Sequence, residues 1–367
     1  MGIITTTPNN QAKEPVRLQQ LKAWRNTKFS FVFLAMFIIL FAAILLASSI
    51  GPVNIPFHHT MAILAKQLGL TAAAPYSERD LLIVLQIRLP RVLVGGLVGA
   101  ALGVSGAAMQ GLFRNPLVEP GYVGVSSGAA VGAVCALFFG WNALGLWAVP
   151  LSAFAGAVAA IFLILGVWQS SRLKSIATLL LLGIGINAML SALINIMVAS
   201  SNTEQELRSI VFWLQGGLEA RTWEHVQLIA MPIILGSLIT IMYSRDLNMM
   251  LLGDEQATSA GIPVRRTRFT LLILTSLMTG AAVAVSGIIS FVGLVVPHMI
   301  RLLIGPDYRF LLPMSAIGGA IFLILADLVS RMILQPVTLQ VGVVCACIGA
   351  PLFIALIWRA RNGGITE

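Results

Sequence analysis

The chain has 367 residues, 58% of them apolar and only 10% charged, with a mean hydropathy of +0.92. A soluble globular chain carries about 25% charged residues, so this composition excludes a protein that faces water on all sides. The net charge of +9 does not point to nucleic acid either, because the basic opening leads straight into an apolar run.

That opening, residues 1–29 with Lys13, Arg17, Lys22, Arg25 and Lys28, reads as a basic cytoplasmic tail. No small-residue cleavage site follows it, so it resembles an anchor more than a cleaved signal. Apolar runs long enough to cross a bilayer then recur. Their breakers divide them into about ten spans, at 30–50, 89–112, 120–139, 145–168, 176–199, 224–243, 268–286, 289–304, 311–331 and 338–359. The expected fold is an all-α polytopic membrane protein with one transmembrane domain, 30–361, and a C-terminal tail, 362–367. An even number of spans puts both termini on one side. Most lysines and arginines, including Arg114, Arg172, Lys174, Arg245, Arg265, Arg266, Arg268, Arg301, Arg309, Arg359 and Arg361, then fall on the side of the N-terminus. That excess makes both termini cytoplasmic.

The first outer segment, 51–88, holds a surface helix near Pro56–Leu68. His58 and His59 on it are a solvated pair or a point of contact for a haem iron in transit. The second span carries a small residue every four positions, Gly95, Gly99, Gly103, Ala107 and Gly111, and the third repeats the device with Gly124, Gly128 and Gly132. Lipid tails are as apolar as leucine, so helices associate in a bilayer by close backbone approach, which such stripes allow. Cys135, Cys345 and Cys347 fall inside apolar runs and are expected as core residues, with no metal site among them.

In the fifth span Asn187, Ser191 and Asn195 share one face, continued by Gly183. Amides in hydrocarbon must face protein or water, so this face lines a translocation path or bonds to another helix. The long inner segment, about 244–267, contains Leu252, Gly253, Asp254, Glu255, Ala257 and Gly261. Acids suit a helix start and Gly261 can end a helix. Two short helices broken at Gly253 would form a cytoplasmic knob for a partner's groove, or an ordinary loop. On the outer side Arg88, Arg91 and Arg331 cluster, as a solvated rim or as a receptor for an acidic protein surface.

No histidine spacing fits an intramembrane metalloprotease, and no run reads as a nucleotide-binding loop, so no catalytic site or resident cofactor is expected. Asp327 is the acid well inside a span, with Arg331 four residues on, the favourable order for a helix pair. One paired acid is a poor basis for an ion-coupled carrier.

From about Phe31 to Arg361 the chain resembles the iron-siderophore, haem and cobalamin permeases of bacterial ABC importers. The matching stretches are Gln86-Ile-Arg-Leu-Pro-Arg91, Gly106-Ala-Ala-Met-Gln-Gly111, Arg114-Asn-Pro-Leu-Val-Glu-Pro-Gly121 and Gly124-Val-Ser-Ser-Gly128. Gly253-Asp-Glu-Gln-Ala257, Gly293-Leu-Val-Val-Pro-His-Met-Ile-Arg301 and Gly349-Ala-Pro351 follow in order. The resemblance implies a ten-span subunit of the cytoplasmic membrane that pairs with a second copy or a paralogue. Two ATPase subunits beneath would spend the ATP, and an extracytoplasmic substrate-binding protein would cap the outer face. It also implies that Leu252–Gly261 seats on the ATPase, that Arg88, Arg91 and Arg331 meet acids of the binding protein, and that Asn187, Ser191 and Asn195 line the path. The expected cargo is an iron chelate, haem or a ferric siderophore. Arg114–Gly132 and Phe212–Leu218 look closer to haem permeases than to cobalamin ones. A cobalamin permease, an ion-coupled carrier and a membrane scaffold are the rival readings.

Overall fold

The computed structural model describes residues 16–363 apart from 68, 71–75, 172–174 and 336. Lys13, Arg172, Lys174 and the last residues of the C-terminal tail, 364–367, lie outside the described residues. In chain order the helices are α1 (Val16–Ser49), α2 (Phe57–Gln67), α3 (Glu78–Leu82), α4 (Leu89–Leu112), α5 (Val125–Phe138), α6 (Ala148–Ser170) and α7 (Ile176–Ala199). They continue as α8 (Glu204–Leu214), α9 (Trp223–Met242), α10 (Ser244–Met250), α11 (Asp254–Ser259), α12 (Val264–Ser286), α13 (Val292–Ile304), α14 (Tyr308–Met332) and α15 (Val341–Gly363). There is no strand among the described residues. Inner and outer are used below for the sides assigned by the basic residues.

Among the described residues seven stretches are long and apolar enough to cross a membrane: Phe29–Ser49, Glu78–Leu112, Ala148–Ser170, Ile176–Ala199, Trp223–Met242, Val264–Ser286 and Tyr308–Met332. Three shorter apolar helices, Val125–Phe138, Val292–Ile304 and Val341–Ala355, occupy the remaining places where spans were expected. Two boundaries therefore need correction. The span expected at 120–139 begins as a helix only at Val125, and that expected at 289–304 only at Val292. Backbone conformation is the cause: Gly124 (φ 78), Gly287 (φ 66) and Phe291 (φ 70) stand in left-handed geometry just before each start, which a right-handed helix cannot continue through. The expected second span, 89–112, instead gains outer turns back to Glu78.

Those added turns include a π-helical segment, Ile83–Arg88, in which the Leu89 amide donates to the Val84 carbonyl. The next carbonyl in that register, Leu85, would meet residue 90, which is proline and has no N–H. The indole Nε1 of Trp223 donates to it instead, at 2.9 Å.

α4 is the hub, buried along most of its length and packed against α14 above all, then α12, α13 and α9. The stripe read from the sequence makes this contact. A Cβ placed on Gly99 would lie 2.1 Å from the Gly319 carbonyl oxygen, and one on Gly103 would lie 2.1 Å from that of Ser315. Gly106, one position off the stripe, accepts Gly293 of α13 as closely. On α5, Gly128 and Gly132 do the same against Gly156 and Ser152 of α6. Gly111 instead meets the ring of Tyr308.

A side chain at Gly99 must therefore push α14 away. Gly99→Val is expected to destabilise the purified chain by the 1–3 kcal/mol typical of overpacking, about that or more, read as a lowered melting midpoint in detergent. Gly166→Ala, where a new Cβ meets nothing within 4 Å, is the control that should melt normally.

Candidate functional site

The path, the inner knob and the outer cluster occupy different levels of the bundle. At mid-depth two helices begin. Val292 and Gly293 of α13 lie beside Leu102 and Gly106, halfway down α4, and Pro120 of the segment before α5 packs on Gly293. At 1.5 Å per residue α5 and α13 are each about 20 Å long, too short to cross a hydrocarbon core of roughly 30 Å. Their first turns are instead reached by irregular chain, 113–124 and 287–291, folded into the protein. Such backbone is tolerated at this depth only where it is buried or lines a cavity. Here Gln110 Nε2 donates to the Gly293 and Leu294 carbonyls at 3.3 and 3.2 Å, while its Oε1 accepts from Arg301 Nη2 at 2.9 Å.

Glu119 sits at this level and accepts a hydrogen bond from the Phe291 amide at 3.3 Å. It borders a cavity of about 150 Å³ with Tyr122, Ser126, Ser127, Thr279 and Ser290. The sequence hid this acid, because Glu119 stands one residue outside the expected start of a span. The glycines and prolines around it were the signal that the chain dips before the helix begins. Asp327 is thus not the sole acid at membrane depth.

The face expected on α7 divides. Asn187 is half-buried, and its Nδ2 donates to the Gly121 and Tyr122 carbonyls at 3.3 and 3.5 Å. Gly183, one turn inward, is buried against the Tyr122 carbonyl. Ser191 and Asn195 are exposed. Between them α7 leaves Leu181, Ile184, Met189, Leu193 and Ile196 exposed as well. Asn187 therefore pins α7 to the dipping segment, and the outer two polar residues stand on a largely uncovered helix.

On the inner side the two short helices exist, α10 and α11, broken at Gly253 with φ 130. Gly261, at φ 84, ends α11: its amide bonds back to Thr258 and that of Ile262 to Ala257. Ala257 is fully buried and plugs α11 into the core. Leu252 is 65% exposed, and Glu255 is exposed beside it. Asp254 fixes the knob. Its carboxylate takes hydrogen bonds from Arg268 Nη2 at 2.9 and 3.1 Å and pairs with Arg114. Arg114 Nε also donates to the Met250 carbonyl at 2.7 Å. Partial burial of the carboxyl opposes ionisation, but the bonds and charge of Arg268 with the charge of Arg114 prevail and hold Asp254 below the usual carboxylate range. Sequence spacing gave no hint of these two brackets, one 14 residues from Asp254 and the other 140.

The outer arginines converge as expected, but not as an exposed rim. Arg88 is 4% exposed, Arg331 3% and Asp327 2%. Arg91 grips Asp327 with Nε at 3.0 and 3.1 Å and Nη2 at 2.8 Å. Arg331 pairs with the same carboxylate at 3.2 Å and donates to the Ala47 carbonyl at 3.1 Å. Arg88 donates to the carbonyls of Ser48, Ser49 and Val53, covering carbonyls left open where α1 ends. Desolvation explains the correction: three guanidiniums beside apolar helices are retained only where acceptors surround them. Of the outer histidines, His59 is 2.7 Å from Asp80 and His58 stacks on it edge-on. No group of three metal-ligating side chains occurs among the described residues.

Asp327→Asn leaves Arg91 and Arg331 without their counter-charge, and loss of one partner of a buried pair typically destabilises by about 3–5 kcal/mol. A markedly lower melting midpoint is expected, whereas an unchanged one would mean that the arginines find other acceptors.

Comparison with known proteins places this architecture. A model of the FecCD transport family matches residues 38–359. A hemin transport system permease of Yersinia pestis is 43% identical over 283 residues, covering 76% of this chain and 84% of the relative. A cobalamin import system permease of Halobacterium salinarum is 42% identical over 295 residues, covering 79% and 78%. Among solved structures, an inward-facing ABC transporter of metal-chelate type superposes with a TM-score of 0.80 at 30% identity, over 90% of this chain and 99% of that one.

Proposed function

The chain belongs to the FecCD transport family, and from that membership we propose that the cargo it passes is an iron chelate, haem or a ferric siderophore. It is a multi-pass permease subunit of an ABC importer in the bacterial inner membrane, and the ATP is hydrolysed by partner subunits. The observation that carries the cargo reading is a shared class. The hemin and cobalamin relatives match at nearly equal identity, and the solved structure is of metal-chelate type. A metal held in an organic chelate is common to all three, and iron is the choice to be tested against cobalt.

The partners follow within the same proposal. A second copy or a paralogue covers the exposed face of α7, so that Ser191 and Asn195 stand beside the path, with Asn187 holding the dipping segment in place. Leu252 and Glu255 reach into a groove of the ATPase, with Gly253, Asp254, Ala257 and Gly261 shaping the knob. An extracytoplasmic binding protein docks by acidic side chains on the outer cluster. Charge supports this last contact: Arg91 and Arg331 share one acid, Asp327, and the excess positive field attracts and orients an acidic surface even from beneath the surface.

Deletion of the gene is expected to abolish growth on one iron chelate as sole iron source, with growth on free iron retained and the defect repaired by the gene. Normal growth on every iron source, with loss of cobalamin uptake, would replace iron by cobalt and leave the importer assignment standing. Docking of the binding protein is expected to weaken as salt rises from about 50 to 500 mM, because screening shortens the reach of the arginines. A salt-independent affinity would move docking elsewhere on the outer face.

A further inference from the structure

Between the inner end of α6, the short helix α11 and the first turns of α12 lies a groove of about 820 Å³. Arg265, Arg266 and Arg268 line it, with Asp254 as its one acid. Asp254 is already held by Arg114 and Arg268. Arg268 is 8% exposed, and its Nε has no acceptor. Arg265 and Arg266 are exposed and make no ion pair among the described residues. The groove thus presents a recessed donor and two uncompensated cations.

The other walls are of a different character. Trp168, Ile262, Val264 and Phe269 line it too. On the turns of α6 that precede Trp168, Phe162, Leu163 and Val167 are exposed. Trp168 is anchored by its indole donating to the Ser175 carbonyl at 3.2 Å. Cations beside apolar walls, at the level where two apolar helices leave the membrane, match a ligand with an anionic head and hydrocarbon tails. Soluble phosphate has no use for the apolar walls. Basic pockets between helices on the cytoplasmic side are where anionic headgroups bind, and Trp at the interface suits the same depth.

We propose that this groove binds the phosphate headgroup of an anionic phospholipid of the inner leaflet, whose acyl chains lie along the exposed side of α6. The lipid then stands against α11, so that the membrane itself helps to position the knob. The assignment holds for any cargo and rests only on the knob being on the cytoplasmic side.

The test is native mass spectrometry of the full-length permease with added phosphatidylglycerol or phosphatidylcholine, comparing the wild type with the double variant Arg265→Gln, Arg266→Gln. Retention of phosphatidylglycerol is expected to exceed that of phosphatidylcholine. The double variant should lower the apparent affinity on the order of thirtyfold, about fivefold for each arginine near a lipid surface, while its elution and melting stay normal. Equal retention by both proteins would overturn the proposal, as would equal retention of the two lipids. Displacement of the lipid by millimolar inorganic phosphate would assign the groove to a soluble anion instead. Should the double variant misfold, Arg266→Lys, which keeps the charge, should hold the lipid while Arg266→Gln alone loses about fivefold. Equal retention by those two would count equally against a headgroup site.

Discussion

Carbonyl oxygens seated on glycine hold this bundle together. In a bilayer, water does not drive one apolar helix onto another, so affinity between helices comes from close packing and interhelical hydrogen bonds. α4 presents Gly99 and Gly103 to carbonyls of α14, and Gly106 to the start of α13. Those seats set the distance between three helices and, through it, the positions of the outer arginines and the mid-depth chain. Arg91 can reach Asp327, far away in sequence, because α4 and α14 run at backbone contact.

The same closeness explains where polar groups are tolerated. The dipping chain before α5 and the irregular chain before α13 meet beside the α4 seat: Glu119 of the first accepts from the Phe291 amide of the second, and Gln110 of α4 donates to carbonyls at the head of α13. At the outer end, carbonyls left by α1 absorb Arg88 and Arg331. Arg88, Arg331 and Gln110 each close an opening left by a helix end, so site and scaffold share side chains. On the inner face the arrangement is looser: Asp254 fixes α11 by two arginines, yet the apolar tip at Leu252 stays exposed.

Much of this was legible in the residues because lipid simplifies the code. Apolar length gave the places of the spans, four-residue glycine spacing gave the faces that touch, and Gly253 with Gly261 gave the broken inner helix. What escaped detection depended on depth or on distance along the chain. Glu119 looks like a loop residue because its neighbours are prolines and glycines, and only the folded path shows that the loop enters the membrane. Arg88 and Arg331 look exposed because they sit at span ends. The carbonyls that absorb them belong to α1, whose sequence carries no mark of that task. Asn187 looked equivalent to Ser191 and Asn195 by spacing, but its partner is backbone, which sequence pattern does not reveal.

The π-helical turn at Ile83–Arg88 amounts to one extra residue in an otherwise regular helix. Deleting a residue between Leu85 and Pro90 would restore four-residue hydrogen bonding around it, yet the Leu85 carbonyl would still face a proline without an N–H. A wide turn absorbs its extra residue with little change of angular phase, so the outer side would keep its facing while the local widening was lost. The Trp223 indole meets the Leu85 carbonyl where the wide turn leaves it without an amide partner. A displacement of the outer turns therefore reaches α9 through one indole hydrogen bond as well as through side-chain packing.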